Sequence, residues 1–257
     1  MKPSEVWKSY WKSQSIKEGK LSTKLRSYQL PVYSLLKKTI KENNINYVLS
    51  AGAGQDIICF NLQREFNNSL EIIILDISKD VLDWNKKLFE KYHLNAQFIK
   101  ADIFKMPFRE NSFDLVFNTG VLEHFEKKEQ ICMAKEILRV TKSTGYFITA
   151  NPSDNGKIYK WGMKIAKGKR IWPFGREVPV KSLKFLSKEI SEIDSIEEYH
   201  KDFLTQLNFL FYINPVFRIL ALPIKLFGRL TFVSQIYDVS LGKIFGTYLI
   251  ISIMKKK

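Results

Sequence analysis

The stretch YVLSAGAGQD, residues 47–56, joins an apolar strand to a turn that contains two glycines. Gly52 and Gly54 have no Cβ, so the backbone can take a positive φ there and a ligand can approach the main chain closely. Residues 55–67 have apolar side chains at helical spacing, which predicts a helix whose positive dipole end faces that ligand. This arrangement is typical of a nucleotide-binding turn.

Further strands follow the turn, and polar residues stand at their carboxyl ends. Residues 70–76 read as a second buried strand that ends in Asp76, and strand 96–100 is followed by Asp102. In a doubly wound sheet, an acid at the end of the second strand can accept hydrogen bonds from both hydroxyls of a ribose. A fourth strand lies within FDLVFNTGVLEH, residues 113–124.

Together these motifs resemble the class I S-adenosylmethionine-dependent methyltransferases, within the broad group that modifies small molecules and lipids. The likeness covers residues 45–151 and resumes at 246–254, and FDLVFNTGVLEH is its most specific part. The resemblance implies S-adenosylmethionine as the cofactor. It also implies an α/β fold with a doubly wound, Rossmann-like sheet of seven mostly parallel strands, in the order 3-2-1-4-5-7-6, and an inserted helical substrate or lid region.

The rest of the chain supplies elements that fit this architecture. An N-terminal helical cap is expected over 1–44, in which Trp7 and Trp11 pack on the domain or serve as a lid, and the methyltransferase domain over 45–257. Alternating strands and helices predict a mostly parallel sheet. The predicted helices are 24–41, 79–93, 127–141 and 180–186, and Ser78 is expected to cap the helix 79–93. The remaining predicted strands are 46–51, 144–150, 193–199 and 246–254.

The resemblance also assigns roles to individual residues. The candidate cofactor contacts are Ser50, Gly52, Ala53 and Gly54 at the turn, Asp76 at the ribose, Asp102 at the adenine amino group, Ile77 and Ile103 on the two faces of the adenine, and Asn118 beneath the methionine end. His124 is the candidate general base, because the pKa of an imidazole lies near neutrality; a structural role is the alternative.

Two positions depart from the family pattern. The family has an acid where Ser50 stands and a third glycine where Asp56 stands. Asp56 can interact with the helix dipole, but a carboxylate at this place is also expected to crowd the cofactor carboxylate. We expect S-adenosylmethionine to bind nevertheless, since Asp76, Asp102 and the fourth-strand motif are intact.

Composition limits the class of protein. A net charge of +15 and a pI near 9.6 predict attraction to a membrane surface, a phosphorylated substrate or nucleic acid, unless they reflect only a lysine-rich surface. Cys59 and Cys132 stand outside any C-x-x-C motif, so we expect buried, reduced thiols and no metal site. No apolar segment marks a signal peptide at the N-terminus, so a cytoplasmic protein is expected.

Two segments carry the substrate hypotheses. The basic-aromatic segment, residues 153–180, alternates lysines and arginines with aromatic residues, and a short amphipathic helix is expected from about Tyr159 to Lys169. It is interpreted either as a lid that meets an anionic surface or as a solvated connector. The apolar insertion, residues 203–244, is interrupted by Pro215, Pro223 and basic residues, so it predicts interfacial or substrate-covering helices and no membrane span.

The sequence therefore predicts a methyltransferase that acts on oxygen or carbon of a small-molecule or lipid-like acceptor. A glycolipid, prenylated or phosphoryl-lipid head group is the preferred substrate, approached at the inner face of the membrane. An RNA methyltransferase is the first alternative, although Asn151-Pro152-Ser153-Asp154 only begins like an amino-methylation motif. The second is a non-catalytic binding protein whose cofactor site has been lost through Ser50 and Asp56.

Overall fold

A seven-stranded sheet organises the protein, and its strand order is β3-β2-β1-β4-β5-β7-β6, as predicted. The computed structural model describes residues 23–228 and 231–257, so Trp7, Trp11 and the first part of the predicted cap lie outside the described residues. The strands are β1 Tyr47–Ala51, β2 Glu71–Asp76, β3 Gln97–Lys100, β4 Phe113–Thr119, β5 Thr141–Pro152, β6 Ile193–Lys201 and β7 Leu249–Lys256. Only β7 runs antiparallel to its neighbours.

Helices cover both faces of the sheet, because its strands are apolar on both sides. The helices are α1 Gln29–Glu42, α2 Ile57–Glu65, α3 Lys79–Lys91, α4 Lys127–Val140, α5 Lys157–Gly168 and the single turn α6 Leu186–Glu189. Buried residues of α1, α2 and α3 form one core with the sheet. Buried residues of α4 and of the chain around α6 form the second core on the opposite face.

The apolar insertion folds into short helices that follow β6. They are α7 Phe203–Gln206, α8 Leu210–Ile213, α9 Pro215–Leu220, α10 Leu222–Phe227, α11 Thr231–Val239 and α12 Leu241–Phe245. A small cluster of Phe203, Leu204, Leu207 and Ala221 forms its interior. Within 23–228 and 231–257, no helix is both long and apolar enough to cross a bilayer.

The predicted helix over 180–186 is wrong. Val180 pairs with the end of β5, through a hydrogen bond of 2.8 Å from its N–H to the Pro152 carbonyl and a bridge to Ser153. The Glu198 carboxylate on β6 then accepts the Leu183 N–H at 2.6 Å, so contacts with β5 and β6 hold this segment in a non-helical path. Only the turn α6 remains helical.

Three smaller expectations also need correction. Strand β7 begins at Leu249 and not at Gly246, because Gly246 ends α12 with a φ of +73°. Ser78 occupies the N-cap position of α3, but its hydroxyl makes no cap hydrogen bond. Cys59 is buried as expected, whereas Cys132 is exposed because it lies on the outer face of α4.

Candidate functional site

A cavity of about 710 Å³ opens at the carboxyl ends of the central strands. Open α/β sheets bind ligands at this edge, where the strand order reverses. Its wall brings together eight of the predicted site residues, namely Gly52, Ala53, Gly54, Asp76, Ile77, Asp102, Ile103 and His124. The basic-aromatic segment and the apolar insertion contribute Phe174, Glu177, Thr205, Asn208 and Phe209 to the same wall.

The glycine turn is held tightly against β2. The N–H groups of Gly52 and Ala53 both donate to the Leu75 carbonyl, at 2.9 and 3.1 Å. Gly52 has a φ of +73°, and a Cβ built there would lie 3.1 Å from Val121 Cγ2. Since Val121 lines the cavity, a side chain at Gly52 would enter the space that a ligand needs.

Asp76 links the turn to the start of α3. Its carboxylate accepts the Gly54 N–H at 2.9 Å on one oxygen and the Ser78 N–H at 2.8 Å on the other. Burial raises the pKa of this carboxyl, while the N–H donors oppose the shift. Asp76 lines the cavity, and a carboxylate has about four lone-pair sites, so it can accept further hydrogen bonds from hydroxyls of a ligand.

Asn85 is a supporting residue that sequence reasoning missed. Its side chain on α3 accepts the Asp56 N–H at 2.9 Å and donates to the Gly54 carbonyl at 2.7 Å. Asn85 is fully buried, so its polar group occupies a position on the core face of an amphipathic helix. A polar residue at such a position was the signal that could have identified it.

Asp56 and Ser50 do not line the cavity. Asp56 caps α2 by accepting the Cys59 N–H at 2.8 Å, and it is buried. The Ser50 hydroxyl interacts with the Asp56 carboxyl and lowers its pKa, against the effect of burial. Asp56 and Ser50 thus form a buried pair under the loop. The contact of Ser50 with the cofactor, and the effect of Asp56 on it, remain predictions.

Asn118 also lies below the cavity floor. Its Oδ1 accepts the Thr149 hydroxyl at 2.5 Å, and Asn151 donates to that hydroxyl at 3.0 Å. Asn118 is buried and does not line the cavity. Its contact with the methionine end of the cofactor remains a prediction.

The remaining residues on the adenine side of the cavity are Ile77, Asp102 and Ile103. Asp102 is exposed, and its Oδ1 accepts the Phe104 N–H at 3.0 Å. Ile77 is half-buried and Ile103 is buried, and both line the cavity. Two apolar side chains beside two carboxylates can hold a flat, polar-edged ring system.

The pair Glu123-His124 begins the opposite wall. His124 Nδ1 lies 2.7 Å from the Arg176 carbonyl, so this nitrogen carries the proton and donates. Its Nε2 lies 3.7 Å from Glu123 Oε1. Burial lowers the pKa of His124, which keeps the imidazole neutral near pH 7. A base role for His124 remains a prediction.

Glu177 completes this wall, and no sequence motif identified it. The Tyr159 hydroxyl donates to Glu177 Oε1, and Lys167 donates to the Glu177 main-chain carbonyl at 2.8 Å. Burial raises the pKa of the Glu177 carboxyl, and burial together with the Glu177 charge raises that of Glu123 well above its usual range. Two buried carboxyls therefore share one side of the cavity.

The cradle formed by the glycine turn, Asp76 and Asp102 fits S-adenosylmethionine. Its glycine turn leaves room for a ligand, and the two carboxylates can accept hydrogen bonds from a ribose and an amino group. Described residues form no cluster of three or more histidine, cysteine, aspartate or glutamate side chains suited to a metal ion. The arrangement suits binding of a nucleoside-type cofactor beside a second compound.

Comparisons with known proteins agree with this site. Residues 49–149 match the family model described as a methyltransferase domain. An uncharacterised protein of Methanocaldococcus jannaschii is 34% identical over 115 residues, which are 45% of this chain and 44% of that protein. The ubiquinone/menaquinone biosynthesis C-methyltransferase UbiE of Azotobacter vinelandii is 28% identical over 121 residues, which are 44% of this chain and 47% of that enzyme.

The likeness to solved structures extends over the whole chain. Magnesium protoporphyrin IX methyltransferase from Synechocystis PCC 6803, solved with bound S-adenosylmethionine, superposes with a TM-score of 0.60 at 10% identity. The superposition covers 100% of this chain and 98% of that one, and at this identity it establishes the fold alone. By contrast, the chain spans about half the length of the curated relatives it matches.

Proposed function

Since residues 49–149 form a methyltransferase domain within a class I S-adenosylmethionine-dependent methyltransferase fold, we propose that the protein methylates a small-molecule or lipid-like acceptor. S-adenosylmethionine supplies the methyl group. The observation that carries the proposal is the continuity of the cavity, which runs from the glycine turn and Asp76 to the apolar insertion. One space can therefore hold the cofactor and the acceptor side by side, as an in-line methyl transfer requires.

Calorimetric titration of the protein with S-adenosylmethionine and S-adenosylhomocysteine tests this function first. Binding of both is expected, because the cradle residues are in place. Transfer of a labelled methyl group into a membrane lipid extract, followed by isolation of the labelled product, then tests the acceptor class. A protein that binds neither compound would be a non-catalytic member of the fold, and the proposal would be wrong.

Exposed apolar side chains of the apolar insertion support the proposal that the protein binds its acceptor at a membrane surface. Ile219, Leu220 and Phe227 are 62%, 67% and 64% exposed, although water-facing helices normally place such residues inside. Other large apolar side chains of the insertion are exposed as well, namely Phe211, Val216, Phe217, Leu222, Ile224, Leu226, Phe232, Ile236, Val239, Ile244 and Phe245. This is the composition of helices that lie in a bilayer interface.

Charge favours an anionic bilayer. No aspartate or glutamate occurs between Asp202 and Asp238, whereas Arg218, Lys225 and Arg229 fall within that stretch. Asp238 is occupied inside the protein, where it accepts the Phe203 N–H at 2.7 Å. Since Thr205, Asn208 and Phe209 of the same insertion line the cavity, a bilayer seated here would lie beside the cavity.

Substituting two exposed residues of this surface tests the membrane contact. We expect the double variant Leu220→Gln/Phe227→Gln to bind phosphatidylglycerol vesicles at least about tenfold more weakly than wild type, because each substitution removes apolar surface from the interface. Co-sedimentation at low salt measures the binding, with phosphatidylcholine vesicles for comparison.

Leu30→Gln is the matched control, since Leu30 is also half exposed but lies on α1. It should bind vesicles as wild type does. Equal binding of wild type and the double variant, or no preference of wild type for anionic vesicles, would rule out this membrane contact.

A further inference from the structure

The cavity has the opposite charge to the chain that surrounds it. The chain carries a net charge of +15, yet the described residues that line the cavity include five carboxylates and one arginine. Asp76 and Asp102 belong to the predicted cofactor cradle. Glu123 and Glu177 lie on the other wall, beside the basic-aromatic segment and the insertion. The acceptor side of the cavity is therefore acidic.

One oxygen of the buried Glu123 carboxyl lacks a donor among the described residues. Glu123 is 2% exposed, and within 23–228 and 231–257 no group donates to its Oε2. Its Oε1 lies 3.7 Å from His124 Nε2, and that ring is neutral near pH 7. A buried carboxyl oxygen with no donor costs free energy, so a donor from a ligand would relieve that cost.

Glu177 and its neighbours add a second acid and an aromatic wall. Glu177 is 5% exposed, and its Oε1 accepts the Tyr159 hydroxyl. Burial raises the pKa of its carboxyl, although Tyr159, the charge of Lys167 and the Trp172 side chain oppose that shift. The Tyr159 ring packs against Phe209 and Tyr248 at centroid distances of 4.8 and 5.2 Å, and both of these rings line the cavity. Rings of this kind beside a carboxylate attract cations through their π faces.

We propose that Glu123, Glu177 and the rings of Phe209 and Tyr248 form a subsite for a protonated amine of the acceptor. This proposal rests on the proposed methyltransferase function and names its acceptor class. An ammonium group would donate to Glu123 Oε2, and its positive charge would favour the ionised form of both carboxyls, against the effect of burial. An ammonium nitrogen has no lone pair to attack a methyl group, so it would hold and orient the acceptor. The oxygen or carbon acceptor atom expected from the sequence stays a prediction.

An anionic head group fits this subsite poorly. A phosphate would bring further negative charge to two buried carboxyls, and the one arginine of the cavity wall, Arg26, is exposed and donates to Tyr28 at 3.3 Å. A neutral hydroxyl could donate to Glu123, but it carries no positive charge to balance the carboxylates of Glu123 and Glu177. The proposed subsite therefore disfavours the phosphoryl-lipid substrate that the sequence analysis expects.

Three probes of equal chain length test the proposal: hexylamine, hexanol and hexyl phosphate. Each is titrated calorimetrically into the protein saturated with S-adenosylhomocysteine, so the acceptor side alone is measured. Wild type is expected to bind hexylamine about ten- to a hundredfold more tightly than either other probe. This ratio of dissociation constants corresponds to the free energy of one hydrogen bond between charged groups. Glu123→Gln and Glu177→Gln should each lose that preference.

Glu189→Gln removes an exposed carboxylate from α6 and should keep the preference for the amine. Affinity for S-adenosylhomocysteine should stay within about twofold of wild type in every variant. Equal binding of the three probes to wild type, or an amine preference that survives both substitutions, would overturn the subsite. So would a large loss of S-adenosylhomocysteine binding in Glu123→Gln, because the acids would then belong to the cofactor site. Because cofactor binding is measured separately, failure of the subsite leaves the proposed function standing.

Discussion

Replacing Asp76 with alanine is expected to weaken the binding of S-adenosylmethionine by at least about a hundredfold, since two hydrogen bonds to a carboxylate contribute roughly 3 kcal/mol or more. Asp76 has two roles in the cradle. It offers oxygens to the cavity, and it also holds the turn through Gly54 and α3 through Ser78. Calorimetry measures the loss.

Asp83→Ala is the matched control for Asp76→Ala. Asp83 lies on the exposed side of α3 and pairs with Lys79 at 3.5 Å, so its removal should leave cofactor affinity unchanged. Asp76→Asn separates the two roles, because the amide keeps one acceptor oxygen for the turn but presents an NH₂ group where a second acceptor is needed. If Asp76→Ala bound as tightly as wild type, the cradle would be assigned to the wrong residues.

Replacing Gly246 with alanine is expected to destabilise the fold by about 3 kcal/mol or more. Gly246 has φ +73° and ψ −172°, a conformation that is accessible almost only to glycine. A Cβ built there would overlap the Asn155 carbonyl oxygen at 1.8 Å. The position cannot move freely, because Gln206 donates to the Gly246 carbonyl at 2.6 Å and Asn155 accepts the Thr247 N–H at 3.0 Å.

Thermal unfolding measures this effect, and a midpoint lower by about 6 to 12 °C is expected for Gly246→Ala. Gly168→Ala is the control, because a Cβ at Gly168, near the end of α5, meets no atom within 4 Å. That variant should be as stable as wild type or more stable by up to about 1 kcal/mol, as helix propensity predicts. Equal midpoints for Gly246→Ala and wild type would show that the turn at Gly246 can rearrange at little cost.

The turn at Gly246 also matters for the cavity. It leads directly into Tyr248 and Leu249, which line the cavity wall. Tyr248 is fixed there by its main chain, which donates to the Asp202 carbonyl at 3.0 Å and accepts from Ser153 at 2.7 Å. The junction between the insertion and β7 therefore places one ring of the proposed amine subsite.

The sequence by itself determined the sheet and the cofactor side of the site. The strands, the glycine turn, Asp76 and Asp102 were predictable, because strand periodicity and the residues at strand ends are local patterns. The strand order came from the resemblance to the methyltransferase family. The fold then places such strand ends at one edge of the sheet.

Only the tertiary structure decided the orientation of individual side chains. The sequence placed Ser50 and Asp56 at the turn, but packing against Cys59 and Asn85 turned them beneath it. The helix expected over 180–186 is absent because contacts of Val180 with the end of β5 and of Leu183 with Glu198 on β6 hold the segment in another path. Local propensity is weak compared with such contacts.

Glu177 is the clearest case of a residue that only the fold could reveal. It lies in an irregular segment with no period or motif, and it reaches Glu123 because the Val178 N–H donates to the Glu123 carbonyl at 2.8 Å. Contacts between residues far apart in the chain depend on the path of the segments between them, and that path is fixed by packing of the whole domain. The sequence thus determined where the cofactor side lies, and the tertiary structure determined which groups face it across the cavity.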